Sequence, residues 1–147
     1  MSILIDENTK VLVQGITGKE GQNATIAMME YGTNVVGGVR PGKAGDVVEG
    51  KPVFNTVKDA VSTISDITTT TIYVPPFVAK DAMLEAIEAG ITQINILTER
   101  IPIKDTAYCL AAAKDTGACI IGPSSLGYIN PGVCRIGVIG GLKIQAD

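Results

Sequence analysis

The sequence predicts one α/β domain over residues 1–147, with a Rossmann-like, doubly wound, mostly parallel sheet and helices on both faces. Strand and helix patterns alternate along the chain, which is typical of βαβ units with right-handed crossovers. The composition is aliphatic and rich in glycine, with 17 glycines, 46% hydrophobic residues and 4% aromatic residues, as expected for a buried parallel sheet. The first strand also runs into a glycine-rich turn, Gly15-Ile-Thr-Gly-Lys-Glu-Gly21.

The first half of the chain predicts two strands separated by a helix, followed by a hairpin. The segment Glu20–Tyr31 carries apolar residues spaced three and four apart, which indicates a helix. Gly32 is suited to the left-handed C-cap that would end it. Apolar, valine-rich runs on either side indicate strands. The strands expected in this half are Lys10–Gln14 and Asn34–Val39, with a hairpin-like excursion over Val47–Lys51 and Pro52–Phe54.

The second half predicts three helices and four strands. Thr56 is a candidate N-cap because Asp59 follows three residues later, and the helix is expected to end at about Ile64. The β-branched run Thr69–Val74 indicates a strand that Pro75-Pro76 ends. The remaining elements are helices at Val78–Ala89 and Ile103–Thr116, followed by Gly90 and Gly117, and strands at Gln93–Leu97, Ala118–Ile121 and Cys134–Ile139.

Charge, histidine and cysteine contents argue against several classes of function. The net charge of −3 disfavours a general nucleic-acid or membrane binder, which needs a basic face. No apolar run approaches a membrane span, and Asp6 interrupts any signal-peptide pattern, so a cytoplasmic location is expected. Without histidine, a histidine base or zinc site is disfavoured, and no catalytic or metal-binding residue is assigned. Cys109, Cys119 and Cys134 lack CxxC spacing and are expected to be reduced and at least partly buried.

Ligands of doubly wound sheets bind at the carboxyl ends of the strands, and the sequence places glycine, proline and small polar residues there. The turn Gly15–Gly21 suits a phosphate because glycine permits close backbone approach and the following helix offers free N–H groups. Its GxxGxxG spacing differs from the GxGxxG of dinucleotide sites, so a plain tight turn is the alternative. The other strand ends are Arg40–Lys43, Val74–Pro76, Leu97–Glu99 and Gly122–Ser125.

The residues after the second strand favour a ligand with an additional phosphate over NAD. An NAD site would place an acid here for the ribose hydroxyl. The chain instead has Arg40-Pro-Gly-Lys43, and the nearest acids, Asp46 and Glu49, lie beyond the loop. Arg40 and Lys43 suit the phosphorylated ribose of NADP or of coenzyme A. Solvated loop charges are the alternative interpretation.

Short motifs in a fixed order run along the chain. They include Gln14-Gly-Ile-Thr-Gly18, Val36-Gly-Gly-Val39, Pro41-Gly-Lys43, Pro52-Val-Phe-Asn-Thr56, Ile72-Tyr-Val-Pro75, Thr98-Glu99 and Ile121-Gly-Pro123. Together they resemble the N-terminal coenzyme A-binding domain of the succinate–CoA ligase (succinyl-CoA synthetase) α subunit, part of a ligase of the tricarboxylic acid cycle. The resemblance spans essentially the whole chain.

The resemblance implies a coenzyme A site across the strand ends. Thr17 to Glu20 would hold a phosphate, Lys43 would contact the nucleotide part, and Leu97 to Glu99 would line the path of the pantetheine arm. For Thr98 and Glu99, a cap at the start of the next helix is the alternative. The complete set of predicted cofactor-binding residues is Gly15, Thr17, Gly18, Lys19, Glu20, Gly21, Arg40, Pro41, Lys43, Val74, Pro75, Leu97, Thr98 and Glu99.

The chain departs from the family pattern at three positions. Glu20 stands where glutamine is common, and a carboxylate beside a phosphate is unfavourable unless it points away or pairs with Lys19. Ser124-Ser125-Leu126 replaces an Asn-Cys-Pro segment that lies near the reacting thioester in the family. Arg100 replaces a usual glycine.

The family's α subunit continues into a second domain that carries a phosphorylated histidine, which this sequence lacks. The chain is therefore expected to act as a CoA-binding part of an NDP-forming ligase that is not self-sufficient. It would present the CoA thiol to an acyl phosphate formed elsewhere, with a phosphohistidine-domain chain and an ATP-grasp β subunit as partners, and no nucleic acid or membrane. A stand-alone module that senses coenzyme A or acyl-CoA is the alternative, and an NADP-binding module is a second.

Overall fold

A computed structural model describes residues 4–140 of the chain. Its elements, in order, are β1 Lys10–Gln14, α1 Lys19–Tyr31, β2 Asn34–Val39, β3 Val47–Val48, β4 Lys51–Phe54, α2 Val57–Thr63, β5 Ile67–Ile72, α3 Pro76–Glu88, β6 Gln93–Ile96, α4 Ile103–Thr116, β7 Cys119–Ile121, β8 Gly127–Asn130 and β9 Cys134–Gly137.

Seven strands form one sheet in the order β3-β4-β2-β1-β5-β6-β7. All neighbouring strands pair in parallel except β3, which pairs antiparallel with β4 at one edge. Without β3, the strand order is that of a doubly wound dinucleotide-binding fold, so the predicted fold class is confirmed. The chain leaves β1 towards β2 on one side and returns to β5 on the other. The switch point, where ligands of this fold bind, therefore lies between β1 and β5.

Apolar side chains of the central strands are buried on both faces of the sheet. Leu12 and Ile94 belong to the core beneath α2, α3 and α4, whereas Val13 packs against Ile16 and Met28, on the side of α1. Val11, Leu12 and Val13 are wholly buried, because a strand covered on both faces has no solvent side. Helices thus cover both faces, as predicted.

Several predicted strands differ from the structure in their bounds, and two of them, β5 and β9, also change what is known of the sheet. The prediction for β5, Thr69–Val74, is wrong by two residues, because β5 pairs with β1 from Lys10 to Gln14 and the ladder ends at Ile72. The predicted strand Cys134–Ile139 ends at Gly137 and lies outside the main sheet. It pairs antiparallel with β8, which the sequence analysis does not predict. This hairpin packs Cys134 and Ile136 against Ile5 and Val11.

The three cysteines are free, and one of them is more exposed than predicted. Cys109 and Cys134 are buried, whereas Cys119 is exposed. Cys119 lies on β7, the edge strand of the sheet, which has a neighbour on one side only. Burial raises the pKa of Cys109, and together with Asp6 and Glu7 it raises the pKa of Cys134 to about 11. No helix within residues 4–140 has both the length and the apolar character needed to cross a membrane.

Candidate functional site

A cavity of about 1100 Å³ opens at the carboxyl edge of the sheet, over the switch point. Its wall combines the ends of four parallel strands with α1, α3 and the segment after β7. The lining residues are Gln14, Gly15, Gly18, Lys19, Glu20, Val39, Arg40, Pro41, Tyr73, Val74, Pro75, Pro76, Val78, Asp81, Ala82, Glu85, Leu97, Thr98, Glu99, Ser124 and Leu126. This is where a doubly wound sheet is expected to hold its ligand.

Most of the residues predicted from the sequence line this cavity. They are Gly15, Gly18, Lys19, Glu20, Arg40, Pro41, Val74, Pro75, Leu97, Thr98 and Glu99. The predicted residues Thr17, Gly21 and Lys43 are not part of the lining. The ligand contacts of all these residues stay predictions.

Glycines shape the turn between β1 and α1 by close backbone approach. Gly15 has a φ of +85°, and a Cβ there would lie 2.5 Å from the carbonyl oxygen of Tyr73, the residue that follows β5. A Cβ on Gly21 would collide with the Gly15 carbonyl, and one on Gly38 would collide with the buried Ile16 side chain. The absence of a Cβ at these positions lets the turn lie directly against the strand ends. Gly21 therefore has a packing function that explains its position outside the lining.

The first turn of α1 presents its N–H groups to the cavity. Gly18 is the N-cap and makes no side-chain cap hydrogen bond, so the N–H groups that a cap would satisfy are available to an anion. Lys19 and Glu20 are exposed and line the cavity beside them. Within the described part of the chain, Glu20 forms no ion pair with Lys19. The turn thus offers one cation and backbone donors, but also a carboxylate.

Arg40 and Lys43 flank a compact turn that follows β2. The Lys43 N–H donates to the Arg40 carbonyl over 3.1 Å, and the Asp46 N–H donates to the Lys43 carbonyl over 3.1 Å. Both side chains are exposed, and neither forms an ion pair within residues 4–140. Arg40 lines the cavity, whereas Lys43 lies outside its lining. This end of the site therefore offers two exposed cations that are available to an anionic ligand.

The ends of β5 and β6 are tied together at the other end of the cavity. The Thr98 hydroxyl donates to the Val74 carbonyl over 2.7 Å, and the Ser124 N–H donates to the Thr98 carbonyl over 3.1 Å. The alternative in which Thr98 caps the next helix is wrong, since Pro102 is the N-cap of α4. Leu126 adds an exposed apolar side chain to the lining here.

One wall of the cavity, formed by α3, is absent from the predicted set. Val78, Asp81, Ala82 and Glu85 share one face of α3 by their spacing of three and four residues. Gln14 joins this helix to β1, because its amide donates to the Ala82 carbonyl over 2.9 Å. Helical periodicity could have identified the face. Only the strand order shows that this face of α3 lies beside the switch point.

The charges of the lining are unevenly distributed. Lys19 and Arg40 are its cations, whereas its carboxylates are Glu20, Asp81, Glu85 and Glu99. The Glu85 carboxylate accepts the Val57 N–H of α2 over 2.7 Å and is thereby engaged within the protein. An anionic ligand is consequently stabilised only near the first turn of α1 and the turn after β2.

Tyr73 lies beneath the cavity on the α1 side of the sheet and is only 7% exposed. Burial raises the pKa of its phenol, although the nearby Thr71 hydroxyl and Arg135 lower it in part. The hydroxyl has no hydrogen-bond partner of good geometry among the described residues. Tyr73 is therefore protonated at neutral pH and cannot act as a general base there.

Comparison with known proteins identifies relatives over almost the whole chain. The family described as "CoA binding domain" matches residues 6–100. The succinate–CoA ligase [ADP-forming] subunit alpha 2 of Archaeoglobus fulgidus is 45% identical over 139 residues, which is 95% of this chain and 48% of that protein. The malate–CoA ligase subunit alpha of Methylorubrum extorquens is 45% identical over 145 residues, 96% of this chain and 49% of that protein. The chain thus spans about half the length of these curated relatives.

Solved structures show the same fold at low sequence identity. The ATP citrate lyase of Methanothrix soehngenii, in complex with citrate and coenzyme A, matches with a TM-score of 0.79 and 20% identity, covering 92% of this chain and 24% of that one. A dinucleotide-forming acetyl-coenzyme A synthetase 1 of Ca. Korarchaeum cryptofilum matches with a TM-score of 0.69 and 18% identity, covering 82% of this chain and 27% of that one. The solved structures confirm the predicted fold, and the family match with the curated relatives confirms the predicted resemblance and the predicted cofactor of the family, coenzyme A.

Proposed function

We propose, since the chain belongs to the CoA-binding domain family, that it holds coenzyme A for an NDP-forming acyl-CoA ligase of the succinate–CoA ligase type and presents the thiol to an acyl phosphate. The acyl phosphate would be formed elsewhere in the assembly. The thiol sulfur then forms the thioester bond while the bond between acyl carbon and phosphate oxygen breaks, and the leaving phosphate takes up the thiol proton. The chain itself binds and orients, which lowers the barrier by positioning rather than by chemistry.

The observation that carries this proposal is the match between the cavity and the two halves of coenzyme A. The cofactor has a phosphorylated nucleotide at one end and an uncharged pantetheine arm at the other. In the cavity, Lys19 and the first turn of α1 suit the diphosphate, and Arg40 with the nearby Lys43 suits the 3′-phosphate. Val74 and Leu97 line the opposite end. The turn at Gly15 leaves no room for a Cβ because the Tyr73 carbonyl lies against it, which brings the turn beside the strand ends that line the cavity.

The wider assembly is also part of the proposal. These 147 residues contain no histidine, so the phosphoryl relay of the family would require a phosphohistidine domain outside them and an ATP-grasp β subunit. The relatives named as succinate–CoA and malate–CoA ligases support a dicarboxylic acid as the acyl donor. The cytoplasm is the compartment that we propose for this assembly.

An NADP-binding module is the second candidate, because an arginine at the end of β2, such as Arg40, also suits a ribose 2′-phosphate. Titrating the purified chain with coenzyme A, acyl-CoA, NADPH and NAD while following the melting temperature separates the two. A ligand at about 100 times its Kd adds roughly 2.7 kcal/mol, a shift of roughly 5–11 °C for this size. We expect this shift with coenzyme A and none with NAD. A shift with NADPH alone would overturn the proposal.

A second experiment distinguishes a ligase component from a stand-alone sensor of coenzyme A. The chain is mixed with candidate phosphohistidine-domain and ATP-grasp chains, and thioester formation from a dicarboxylic acid, nucleoside triphosphate and coenzyme A is measured. We expect turnover that depends on this chain. Tight coenzyme A binding without chain-dependent turnover would favour the sensor.

A further inference from the structure

We propose that Asn55 is a positioning residue for phosphate recognition. Its side chain would hold the turn after β2 in the shape that directs Lys43 to the 3′-phosphate of coenzyme A. This inference rests on the proposed function. Asn55 lies between β4 and α2, in the motif Pro52–Thr56, and is not part of the cavity lining.

The side-chain oxygen of Asn55 holds the turn from both sides of Lys43. It accepts the Gly42 N–H over 3.0 Å and the Ala44 N–H over 3.3 Å. The Lys43 N–H itself donates to the Arg40 carbonyl over 3.1 Å. Lys43 is therefore the residue whose backbone lies between the two groups that Asn55 holds.

Asn55 is itself held on both sides by the fold. The carbonyl of the preceding residue, Phe54, accepts the Arg40 N–H over 2.9 Å. The Thr56 hydroxyl accepts the Asp59 N–H over 3.0 Å and caps α2, whose Val57 N–H donates to the Glu85 carboxylate of α3 over 2.7 Å. The anchor of the turn is thus connected to the sheet and to the cavity wall.

The later part of the turn is tied to β4, since the Gly45 N–H donates to the Val53 carbonyl over 3.1 Å and the Val53 N–H donates to the Asp46 carbonyl over 3.0 Å. The part that carries Lys43 has no packing of its own. Residues 41–47 are all exposed. Gly42 and Gly45 have φ values of +80° and +93°, and a Cβ at either would have nothing within 4 Å. A segment without packing partners loses conformational freedom when it binds, which weakens the affinity. The two hydrogen bonds of Asn55 order part of the segment in advance.

The test compares coenzyme A with 3′-dephospho-coenzyme A, which lacks only the phosphate in question. Asn55→Ala is expected to weaken coenzyme A binding about five- to tenfold, while 3′-dephospho-coenzyme A binding stays within about twofold. In a Lys43→Ala background, Asn55→Ala should weaken coenzyme A binding by less than about twofold, because the effects of substituting two residues that act as one unit are not additive. Asn34→Ala, at the exposed opposite end of β2, is the matched control and should change neither affinity.

Three results would overturn the inference: an equal loss for both ligands, an unchanged affinity for coenzyme A, or full additivity with Lys43→Ala. Asn55→Ser retains an accepting hydroxyl on a shorter arm. If Asn55→Ala does not fold, the serine variant should show a smaller loss that is again selective for coenzyme A, and an unselective loss would contradict the inference. Failure of the wild-type chain to bind either ligand would instead overturn the proposed function itself.

Discussion

Replacing Glu20 with glutamine is expected to strengthen coenzyme A binding while slightly destabilising the free protein. Glu20 is exposed in the first turn of α1 and lines the cavity. An acid at this end of a helix interacts favourably with the helix dipole, by about 0.3–1 kcal/mol. Loss of that interaction should lower the melting temperature of the free protein by roughly 1–4 °C.

The same carboxylate opposes a phosphate bound at the turn. For two unit charges about 6 Å apart, the repulsion is about 0.7 kcal/mol at a dielectric constant of about 80 and about 1.4 kcal/mol at about 40. Because Glu20 is exposed, these high dielectric constants are the appropriate ones. The glutamine variant should therefore bind coenzyme A about three- to tenfold more tightly. Salt screens exposed charges, so the gain should shrink at about 1 M salt.

Isothermal titration calorimetry at low, physiological and high salt measures this effect. Glu30→Gln, in the exposed last turn of the same helix, is the matched control. It should leave coenzyme A affinity unchanged and slightly stabilise the free protein, because an acid is unfavourable at the C-terminal end of the dipole. Affinity that is equal or weaker in Glu20→Gln would refute the placement of a phosphate at this turn.

Three further outcomes are expected. Lys43→Ala should weaken coenzyme A binding by about tenfold or more with little change in melting temperature; an unchanged affinity would make Lys43 a solvated charge. Only Cys119 should react rapidly with a disulfide reagent near neutral pH in the native protein, because Cys109 and Cys134 are buried, and a second fast thiol would contradict the structure. Since the pKa of Cys134 rises from 9.0 to about 11 on folding, the native state keeps a proton that the unfolded chain releases, so the free energy of unfolding should fall between about pH 9 and 11. Urea unfolding at several pH values measures this, and in Cys134→Ala the free energy of unfolding should fall less between those pH values. An equal fall in both proteins would show that Cys134 does not titrate in this range.

Local patterns predict much of the secondary structure because their signals lie within a few residues of one another. The strand Asn34–Val39 and the helix Ile103–Thr116 have the predicted bounds. Gly32 and Gly117 are left-handed C-caps, with φ values of 107° and 77°, as glycine favours. The Thr56 hydroxyl accepts the Asp59 N–H, which confirms the predicted N-cap.

Where the sequence prediction is wrong, long-range pairing decides the outcome. β5 begins at Ile67 because that residue pairs with Lys10 on β1. β8 is a four-residue strand with a mixed pattern, and its partner β9 lies opposite it across a turn. The exposure of Cys119 follows from the edge position of β7. None of these three features can be predicted from the neighbouring residues in the sequence.

The candidate site shows the same division. Glycine, proline and cationic residues at the strand ends point to a phosphorylated ligand, and the turn from Gly15 to Gly21 is identifiable from its spacing alone. The wall formed by α3 is not identifiable in this way, since helical periodicity predicts a buried face without saying what it faces. Nor does the sequence reveal that Asn55 contacts Gly42 and Ala44, which lie 13 and 11 residues away along the chain.

The sequence by itself determined the fold class, the phosphate-suited turn after β1, the cations after β2 in place of an NAD-type acid, and the lack of any histidine. These properties can be determined from the sequence because periodicity and glycine spacing involve only neighbouring residues, and composition needs no knowledge of the fold. Only the tertiary structure decided that β1 lies between β2 and β5, that the Gly15 backbone lies against the Tyr73 carbonyl, and that α3 closes one side of the cavity. The physical reason is that strand order depends on how distant apolar faces pack together, which no short stretch of sequence records.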